Sequence, residues 1–189
     1  VDSSTAMLSE ARRLAAERGE TRLDLRIGDL AALRDLTDPG DWDIIIANAS
    51  LQWAPDHEQV LTHWRSRLRA GGQLAVQVPA NPDHPSHLAI TEVLHSEPFY
   101  SILDGAPPPD PLRGVLQPER YAELFWRLGA VAQTVRLQVY GMEMANSSAV
   151  ADWTGGTALN RVRAVLDDEQ FTMFDARYRA LLDQELLGA

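Results

Sequence analysis

The sequence feature that most constrains the fold is an apolar run, residues 42–47, in which hydrophobic side chains follow one another without alternation over its inner part. Such a strand is typical of the middle of a parallel sheet, because both of its faces are buried there. A second apolar run, residues 74–78, follows a segment with helical periodicity. Strand, helix and strand joined by short connections indicate a right-handed crossover. We therefore predict an α/β protein with a doubly wound, Rossmann-like sheet.

A helix pattern and a strand pattern precede the first apolar run. Ser3 or Ser4 is in place to cap the helix, and Gly19 is in place to end it. Residues 23–27 then alternate between aliphatic and charged side chains, which predicts a strand with one solvent-facing side near a sheet edge.

Helical patterns dominate the rest of the chain. Asp56 and Gln59 form a capping-box pattern for a helix that is expected to end at residues 71–72. Residues 131–140 alternate well enough to predict one further strand. The other predicted helices cover residues 87–103, 118–128, 149–153, 159–166 and 171–187, the last capped by Asp167 and Gln170. We therefore expect a helical cap added to the sheet.

Charge and composition exclude several classes of function. The 189-residue chain has 17 basic residues, all of them arginine, against 27 acidic ones, for a formal net charge of −10. Nucleic acids and membranes are therefore not expected partners, because binding to either draws on a basic patch. The absence of cysteine excludes disulfides, thiolate nucleophiles and cysteine-ligated metals. Since no apolar run approaches the ~20 residues that cross a bilayer, we expect a cytoplasmic protein.

Ligands of open α/β sheets bind beyond the carboxyl ends of the strands, so the residues that leave each strand are the first candidates for a site. Asp2 stands at one such position, Asp29 follows the alternating strand, and Asn48 follows the apolar run. Taken singly, an aspartate at a strand end is most often a turn or cap residue. These residues therefore carry weight only as a set.

As a set, these residues resemble successive motifs of the class I S-adenosylmethionine-dependent methyltransferases. The motifs are Asp2-Ser3-Ser4 with Met7, Gly28-Asp29-Leu30, and the run from Ile46 to Trp53 followed by Pro55-Asp56-His57. Within that class the chain most resembles the trans-aconitate 2-methyltransferase family, above all in Asn48-Ala49-Ser50-Leu51-Gln52-Trp53. The resemblance covers nearly the whole chain.

The resemblance implies how S-adenosylmethionine would be held. In the family, an acid at the position of Asp2 accepts both ribose hydroxyls, a task suited to the two oxygens of a carboxylate. An acid at the position of Asp29 meets the adenine amino group, and the next backbone N–H meets a ring nitrogen. A residue at the position of Met7 packs on the adenine. The implied cofactor-binding residues are Asp2, Ser3, Met7, Asp29, Leu30 and Asn48.

The resemblance also implies the reaction, the O-methylation of a small polycarboxylate similar to trans-aconitate. A carboxylate is already ionised at pH 7, so its oxygen attacks the methyl group without a general base. We therefore predict no catalytic acid or base and no metal. The implied substrate-binding residues, chosen by position, are Trp53, His84, His87, Arg113 and Tyr121. Core packing is the competing interpretation of Trp53, and a solvent-exposed role is that of Arg113.

The sequence departs from the family pattern at both ends. It has no glycine-rich loop, it begins at the acid that should end the second strand, and it stops before the family's last strand. We predict one truncated methyltransferase domain over residues 1–189, with residues 1–80 as the cofactor half. Residues 81–129 and 145–189 are the mainly helical substrate-cap segments. Either these residues are a piece of a longer enzyme, or the chain folds by pairing its open strand edges with another copy. If these residues are all there is, we expect homo-oligomers, which a monomer in size-exclusion chromatography would contradict.

Two other functions stay open. One is methylation of a malonyl-carrier-protein carboxylate, since that family has a similar Leu-Gln-Trp exit from its fourth strand. The other is a non-catalytic association module, which would not bind S-adenosylmethionine. Calorimetry with the cofactor separates this module from both enzymes.

Overall fold

A computed structural model describes residues 1–30 and 42–187 of the chain. It contains two strands, β1 (Trp42–Asn48) and β2 (Leu68–Gln77). Its α-helices are α1 (Thr5–Glu17), α2 (His57–Ser66), α3 (Pro85–Leu94), α4 (Phe99–Ile102), α5 (Pro118–Arg127), α6 (Ser147–Gly155), α7 (Asn160–Arg163) and α8 (Asp168–Leu187). Short 3-10 turns cover Leu51–Trp53 and Pro111–Gly114. The α/β class predicted from the sequence is confirmed.

The chain forms two compact units. The sheet unit comprises Val1–Pro79 and Gly114–Val135, and the helical unit comprises Ala80–Arg113 and Arg136–Ala189. That the whole chain acts as one methyltransferase domain, with residues 1–80 as its cofactor half, stays a prediction.

The sheet unit is built on one parallel β-α-β unit. β1 and β2 pair in parallel, with Ile45 beside Leu74 and Ala47 beside Val76. Asp56 caps α2, because its carboxylate accepts the backbone N–H of Gln59 at 2.9 Å. The core beneath consists of Ala47, Leu51, Ala54, Val60, Leu61, Trp64, Tyr121 and Leu124. The predicted crossover is therefore present, and its strands end at one edge.

The prediction that β1 is buried on both faces is wrong. Ile44 is 47% exposed and Ile46 is 68% exposed, whereas Ala47 on the other face is buried. Among the described residues β1 pairs only with β2, and the core lies on one side of the pair. The exposed isoleucines are consistent with the predicted association between copies, which stays a prediction.

β2 begins earlier than its apolar pattern predicts, and α2 ends earlier. The backbone N–H of Trp42 already bonds to the carbonyl of Arg67 at 2.8 Å. The ladder then shifts register between Trp42 and Ile44. At Gly72 an added Cβ would lie 2.9 Å from the carbonyl oxygen of Trp42, so only glycine permits this close approach of the two strands. Gly71 and Gly72, which were predicted to end α2, therefore lie within β2.

The two alternating segments predicted to be strands differ from expectation. Residues 23–27 are extended but form one parallel bridge, Ile27 with Asp2. Residues 131–140 form neither helix nor strand, and Val131 and Val139 are exposed. Alternation supplies one apolar face, but a strand also needs a neighbour to pair with.

α1 also covers less apolar surface than its pattern predicts. Ser4 caps it, accepting the backbone N–H of Met7 at 3.2 Å. Leu8 is its one buried residue, and Met7 is 61% exposed. Of its other apolar side chains, Ala11 and Ala15 are half-buried and Leu14 is exposed.

The helical unit has its own core, in which α8 packs against α3 and α6. Phe99, Phe174 and Tyr178 are fully buried, with ring centroids 5.5 Å and 6.2 Å apart in successive pairs. The predicted helix over residues 87–103 is instead α3 and α4, separated by a break. The predicted cap of α8 is confirmed, because Asp167 and Gln170 exchange bonds of 3.1 Å and 2.8 Å. In the part of the chain described, no helix has the length and apolar character needed to span a membrane.

Candidate functional site

Asp2 is held at the end of a short parallel pairing. Its backbone N–H donates to the carbonyl of Arg26 at 3.2 Å, and its carbonyl accepts the N–H of Gly28 at 3.0 Å. One carboxylate oxygen, Oδ1, accepts the N–H of Ser4 at 2.7 Å. The side chain is exposed, and Oδ2 has no partner among the described residues. The backbone thus fixes a carboxylate with one oxygen open to a ligand.

The other predicted cofactor residues of this segment lie close by in sequence. Asp29 comes two residues after the bridged Ile27 and is exposed, so the bridge brings it near Asp2. Leu30 is half-buried against the core of the sheet unit. Ser3 is exposed beside Asp2, as is the thioether of Met7 in the first turn of α1.

The chain leaves β1 through a strained turn. Asn48 is exposed at the last position of the strand, and Ala49 has a φ of 48°, a conformation that costs free energy for a residue with a Cβ. The N–H of Ala49 is held by both the backbone carbonyl of Gln77 (3.0 Å) and its side-chain oxygen (3.1 Å). Two acceptors from β2 therefore hold the strained residue in place.

This turn presents two side chains, one buried and one exposed. Gln52 is buried and donates its amide to the carbonyl of Ala49 at 2.8 Å, while its Oε1 is buried without a partner. Trp53 is 54% exposed, so core packing does not account for its indole. A buried amide oxygen without a donor costs free energy unless a ligand or water supplies one.

Tyr121, predicted to bind substrate, lies in the sheet-unit core and bonds to a buried histidine. Its hydroxyl is 2.6 Å from Nδ1 of His57 and accepts the N–H of Leu116 at 3.3 Å. The bond from Leu116 leaves the hydroxyl proton free to be donated to His57, which gives neutral His57 its proton on Nε2. Burial lowers the pKa of His57 and raises that of Tyr121, so both are neutral at pH 7.

A shallow cavity of about 280 Å³ adjoins this pair in the sheet unit. His57 contributes its buried Nε2, and Gly114 lies opposite, where an added Cβ would be 4.0 Å from that nitrogen. The remaining lining residues are Pro55, Asp56, Glu58, Leu116, Arg120, Leu124 and Arg127. Its charges are largely balanced, because Glu58 and Arg127 bond to each other at 2.8 Å.

In the helical unit, two predicted substrate residues share one serine. Nδ1 of His84 accepts the backbone N–H of Ser86 as the N-cap of α3 (3.3 Å), and the Ser86 hydroxyl lies 2.8 Å from the same nitrogen. That hydroxyl is also 3.2 Å from Nδ1 of His87, which is buried. Donation from Ser86 to His84 leaves the serine oxygen to accept Nδ1–H of His87.

The backbone carbonyl of Ser86 is fixed from the core. It accepts the hydroxyl of Tyr178 at 3.1 Å, and Tyr178 in turn bonds to Thr154 at 2.9 Å. All three residues are buried. His87 is thus oriented by a network that reaches α6 and α8, and burial lowers its pKa.

Arg113 and an arginine not predicted from the sequence, Arg161, complete this group. Arg113 is exposed, with its backbone N–H bonded to the carbonyl of Asp110 at 3.1 Å. Arg161 is half-buried and donates to the carbonyl of Pro108 at 2.8 Å and to the hydroxyl of Thr91 at 3.3 Å. Nothing in the sequence distinguishes Arg161 from the other arginines.

The predicted residues therefore form several groups. Asp2, Ser3, Met7 and Asp29 lie around one bridge, Asn48 and Trp53 follow β1, and Tyr121 lies with His57. His84, His87 and Arg113 belong to the helical unit. Within the described residues no strand pairing joins the Asp2 bridge to β1. Sequence reasoning did not name Gln52, His57 or Arg161 as site residues. Gln52 lies in the run from Asn48 to Trp53 and His57 in the motif Pro55-Asp56-His57, so both had a signal, whereas Arg161 had none.

Comparisons with known proteins bear on the family of the chain. Residues 1–74 match the family model of a methyltransferase domain. A trans-aconitate 2-methyltransferase of Mycolicibacterium gilvum is 37% identical over 96% of this chain and 67% of its own length. One from Deinococcus radiodurans is 37% identical over 100% of this chain and 70% of its own length. One from Mycobacterium tuberculosis is 34% identical over 97% and 66%. The chain therefore belongs to the trans-aconitate 2-methyltransferase family of S-adenosylmethionine-dependent methyltransferases.

Proposed function

We propose that the chain methylates a carboxylate of a small polycarboxylic acid with S-adenosylmethionine as the methyl donor. The observation that carries the proposal is the match of 34–37% identity, over at least 96% of the chain, to proteins named trans-aconitate 2-methyltransferase. At this identity and coverage, the residues that leave the strands are the natural candidates for the same chemistry.

The described residues fit the adenosine half of the cofactor. Asp2 presents an open carboxylate oxygen, suited to ribose hydroxyls, and Met7 presents an exposed thioether, suited to the face of an aromatic base. Asp29 and the backbone N–H of Leu30 would meet the edge of the adenine, and Asn48 the methionine end. When bound, the cofactor supplies an electrophilic methyl group on a sulfonium.

The substrate half of the proposal needs positive charge and no general base. The carboxylate oxygen forms a bond to the methyl carbon as the carbon–sulfur bond breaks, and no proton is transferred. Holding oxygen, carbon and sulfur in line supplies up to ~7–11 kcal/mol of barrier lowering. Exposed Trp53 would exclude water from that path, Arg113 would supply a cationic contact, and His84 and His87 would be polar neighbours of the substrate.

The test begins with cofactor binding, measured by calorimetry on the whole chain. We expect Asp2→Asn to weaken S-adenosylmethionine binding by ~1.5–3 kcal/mol, the range for hydrogen bonds to a charged group. The matched control is Asp104→Asn, an exposed aspartate whose positive φ of 52° asparagine also tolerates. Equal affinity in native protein and Asp2→Asn would remove Asp2 from the site, and absence of binding by the native chain would favour the non-catalytic module.

The substrate is then tested with a radiolabelled methyl group. Carboxyl methyl esters release labelled methanol in mild base, so trans-aconitate, acrylate and a malonyl-carrier protein can be compared in one assay. We expect base-labile methylation of trans-aconitate. Labelling of the carrier protein alone would support the malonyl alternative and refute the polycarboxylate proposal.

A further inference from the structure

The helical unit contains a half-buried arginine whose charge is not matched by an ion pair. Arg161 donates to two neutral acceptors, the carbonyl of Pro108 at 2.8 Å and the hydroxyl of Thr91 at 3.3 Å. These contacts use two of the five N–H donors of a guanidinium. No carboxylate among the described residues lies within ion-pair distance of Arg161. Neutral acceptors hold the group in place but do not neutralise its charge.

Arg161 has one charged neighbour of each sign, so the group that includes Arg161 contains two guanidiniums and one carboxylate. Burial lowers the pKa of Arg161, the neighbouring carboxylate of Asp110 raises it, and the nearby guanidinium of Arg113 lowers it. One oxygen of the Asp110 carboxylate already has a hydrogen bond, because Oδ1 accepts the backbone N–H of Leu112 at 3.0 Å. Two guanidiniums therefore share one carboxylate, in a chain whose formal net charge is −10.

His87 borders the same charges. Burial is the main cause that lowers the pKa of His87. The carboxylate of Asp110 raises this pKa, and His84 and Arg161 lower it. Its Nδ1 is committed to Ser86 at 3.2 Å, so Nε2 is the nitrogen left for a ligand. With its proton on Nδ1, the neutral imidazole leaves Nε2 as an acceptor, so the guanidiniums and not His87 supply the donors that a carboxylate needs.

We propose that Arg161, with Arg113, binds a carboxylate of the substrate that is not methylated, and thereby makes the enzyme select polycarboxylates over monocarboxylates. This inference rests on the proposed function. A guanidinium fork matches a carboxylate with two parallel hydrogen bonds. The reacting carboxylate is a poorer partner for such a fork, because bidentate pairing would stabilise the oxygen that must attack. Arg161 is therefore a specificity-determining residue for the distal carboxylate.

The experiment compares Arg161→Gln and Arg161→Lys with the native chain. Dissociation constants for trans-aconitate are measured by calorimetry without cofactor, and kcat/KM is measured for trans-aconitate and for the monocarboxylate acrylate. For Arg161→Gln we expect trans-aconitate binding to weaken roughly 10- to 150-fold, the equivalent of losing hydrogen bonds to a charged group. The value of kcat/KM for acrylate and the affinity for S-adenosylmethionine should change less than ~2-fold.

Arg161→Lys keeps the charge and loses the fork, so it tests the inference even if Arg161→Gln fails to fold. We expect it to retain native circular dichroism and still bind trans-aconitate several-fold more weakly than the native chain. Arg136→Gln is the control, because Arg136 is an exposed arginine of the same unit. It should leave trans-aconitate binding unchanged.

The outcomes separate this inference from the proposed function. Equal trans-aconitate binding by native protein and a folded Arg161 variant would overturn the inference alone. A parallel loss for trans-aconitate and acrylate would also overturn it, because Arg161 would then not discriminate between them. Failure of the native chain to bind or methylate any polycarboxylate would overturn the proposed function together with the inference.

Discussion

Replacing Tyr121 by phenylalanine tests whether the sheet unit depends on the polar pair within its core. The Tyr121 hydroxyl bonds to Nδ1 of His57 at 2.6 Å and to the N–H of Leu116 at 3.3 Å. Its removal leaves Nδ1 of His57 buried without a hydrogen-bond partner among the described residues. One newly unpaired buried polar atom costs ~1–3 kcal/mol, whereas the half-buried N–H of Leu116 can find water. We therefore expect Tyr121→Phe to lower the free energy of unfolding by about 2 kcal/mol.

Urea denaturation followed by circular dichroism and tryptophan fluorescence measures this change, with Trp64 buried in the same core. The matched control is Tyr140→Phe, since Tyr140 is 79% exposed and should lose less than ~0.5 kcal/mol. A loss below ~0.5 kcal/mol in Tyr121→Phe would refute the reasoning, because His57 would then have found another partner. The KM of the same variant for trans-aconitate tests the predicted contact between Tyr121 and substrate.

Two further predictions concern stability. Burial lowers the pKa of His57 and of His87, so the unfolded chain binds more protons than the native one as pH falls through the ordinary histidine value of ~6.5. Urea midpoints should therefore decrease from pH 7.5 to pH 5.5, and a flat profile over this range, before the carboxylates titrate, would contradict the assignment of both as buried neutral histidines. Asp56→Ala removes the N-cap of α2 and should cost ~1 kcal/mol in urea melts, whereas Asp56→Asn should cost a few tenths, since asparagine caps as well; equal losses would show that the cap is not what Asp56 contributes.

The sequence predicted the elements that depend on local pattern and missed what depends on neighbours. The two apolar runs became β1 and β2, and the caps at Asp56 and Asp167 are present, because capping is decided within four residues. Exposure of Ile46 depends instead on which strands lie beside β1, and periodicity carries no information about that. The strand predicted over residues 131–140 failed for the same reason.

The residues of the candidate site show the same contrast between what local sequence determines and what tertiary neighbours determine. Asp2, Asp29 and Asn48 were predicted from strand ends and from the family resemblance. The bridge pairs Asp2 with Ile27, two residues before Asp29. The unusual surroundings of Arg161 arise from segments about 50 and 70 residues away, at Pro108 and Thr91, that meet only in the folded chain. A sequence identifies arginine but not whether its charge has a partner.

The contrast between residues predicted from a motif and residues whose surroundings arise from tertiary packing determines what each proposed variant tests. The cofactor contact proposed for Asp2 was inferred from a motif of the class, so replacing Asp2 tests the resemblance on which that role depends. A charge left unmatched by tertiary packing, such as Arg161, is specific to the fold of the helical unit, so altering it tests substrate choice. If Asp2→Asn and Arg161→Gln each changed cofactor and substrate affinity together, the separate roles proposed for the two residues would be wrong, and both would have to be assigned again.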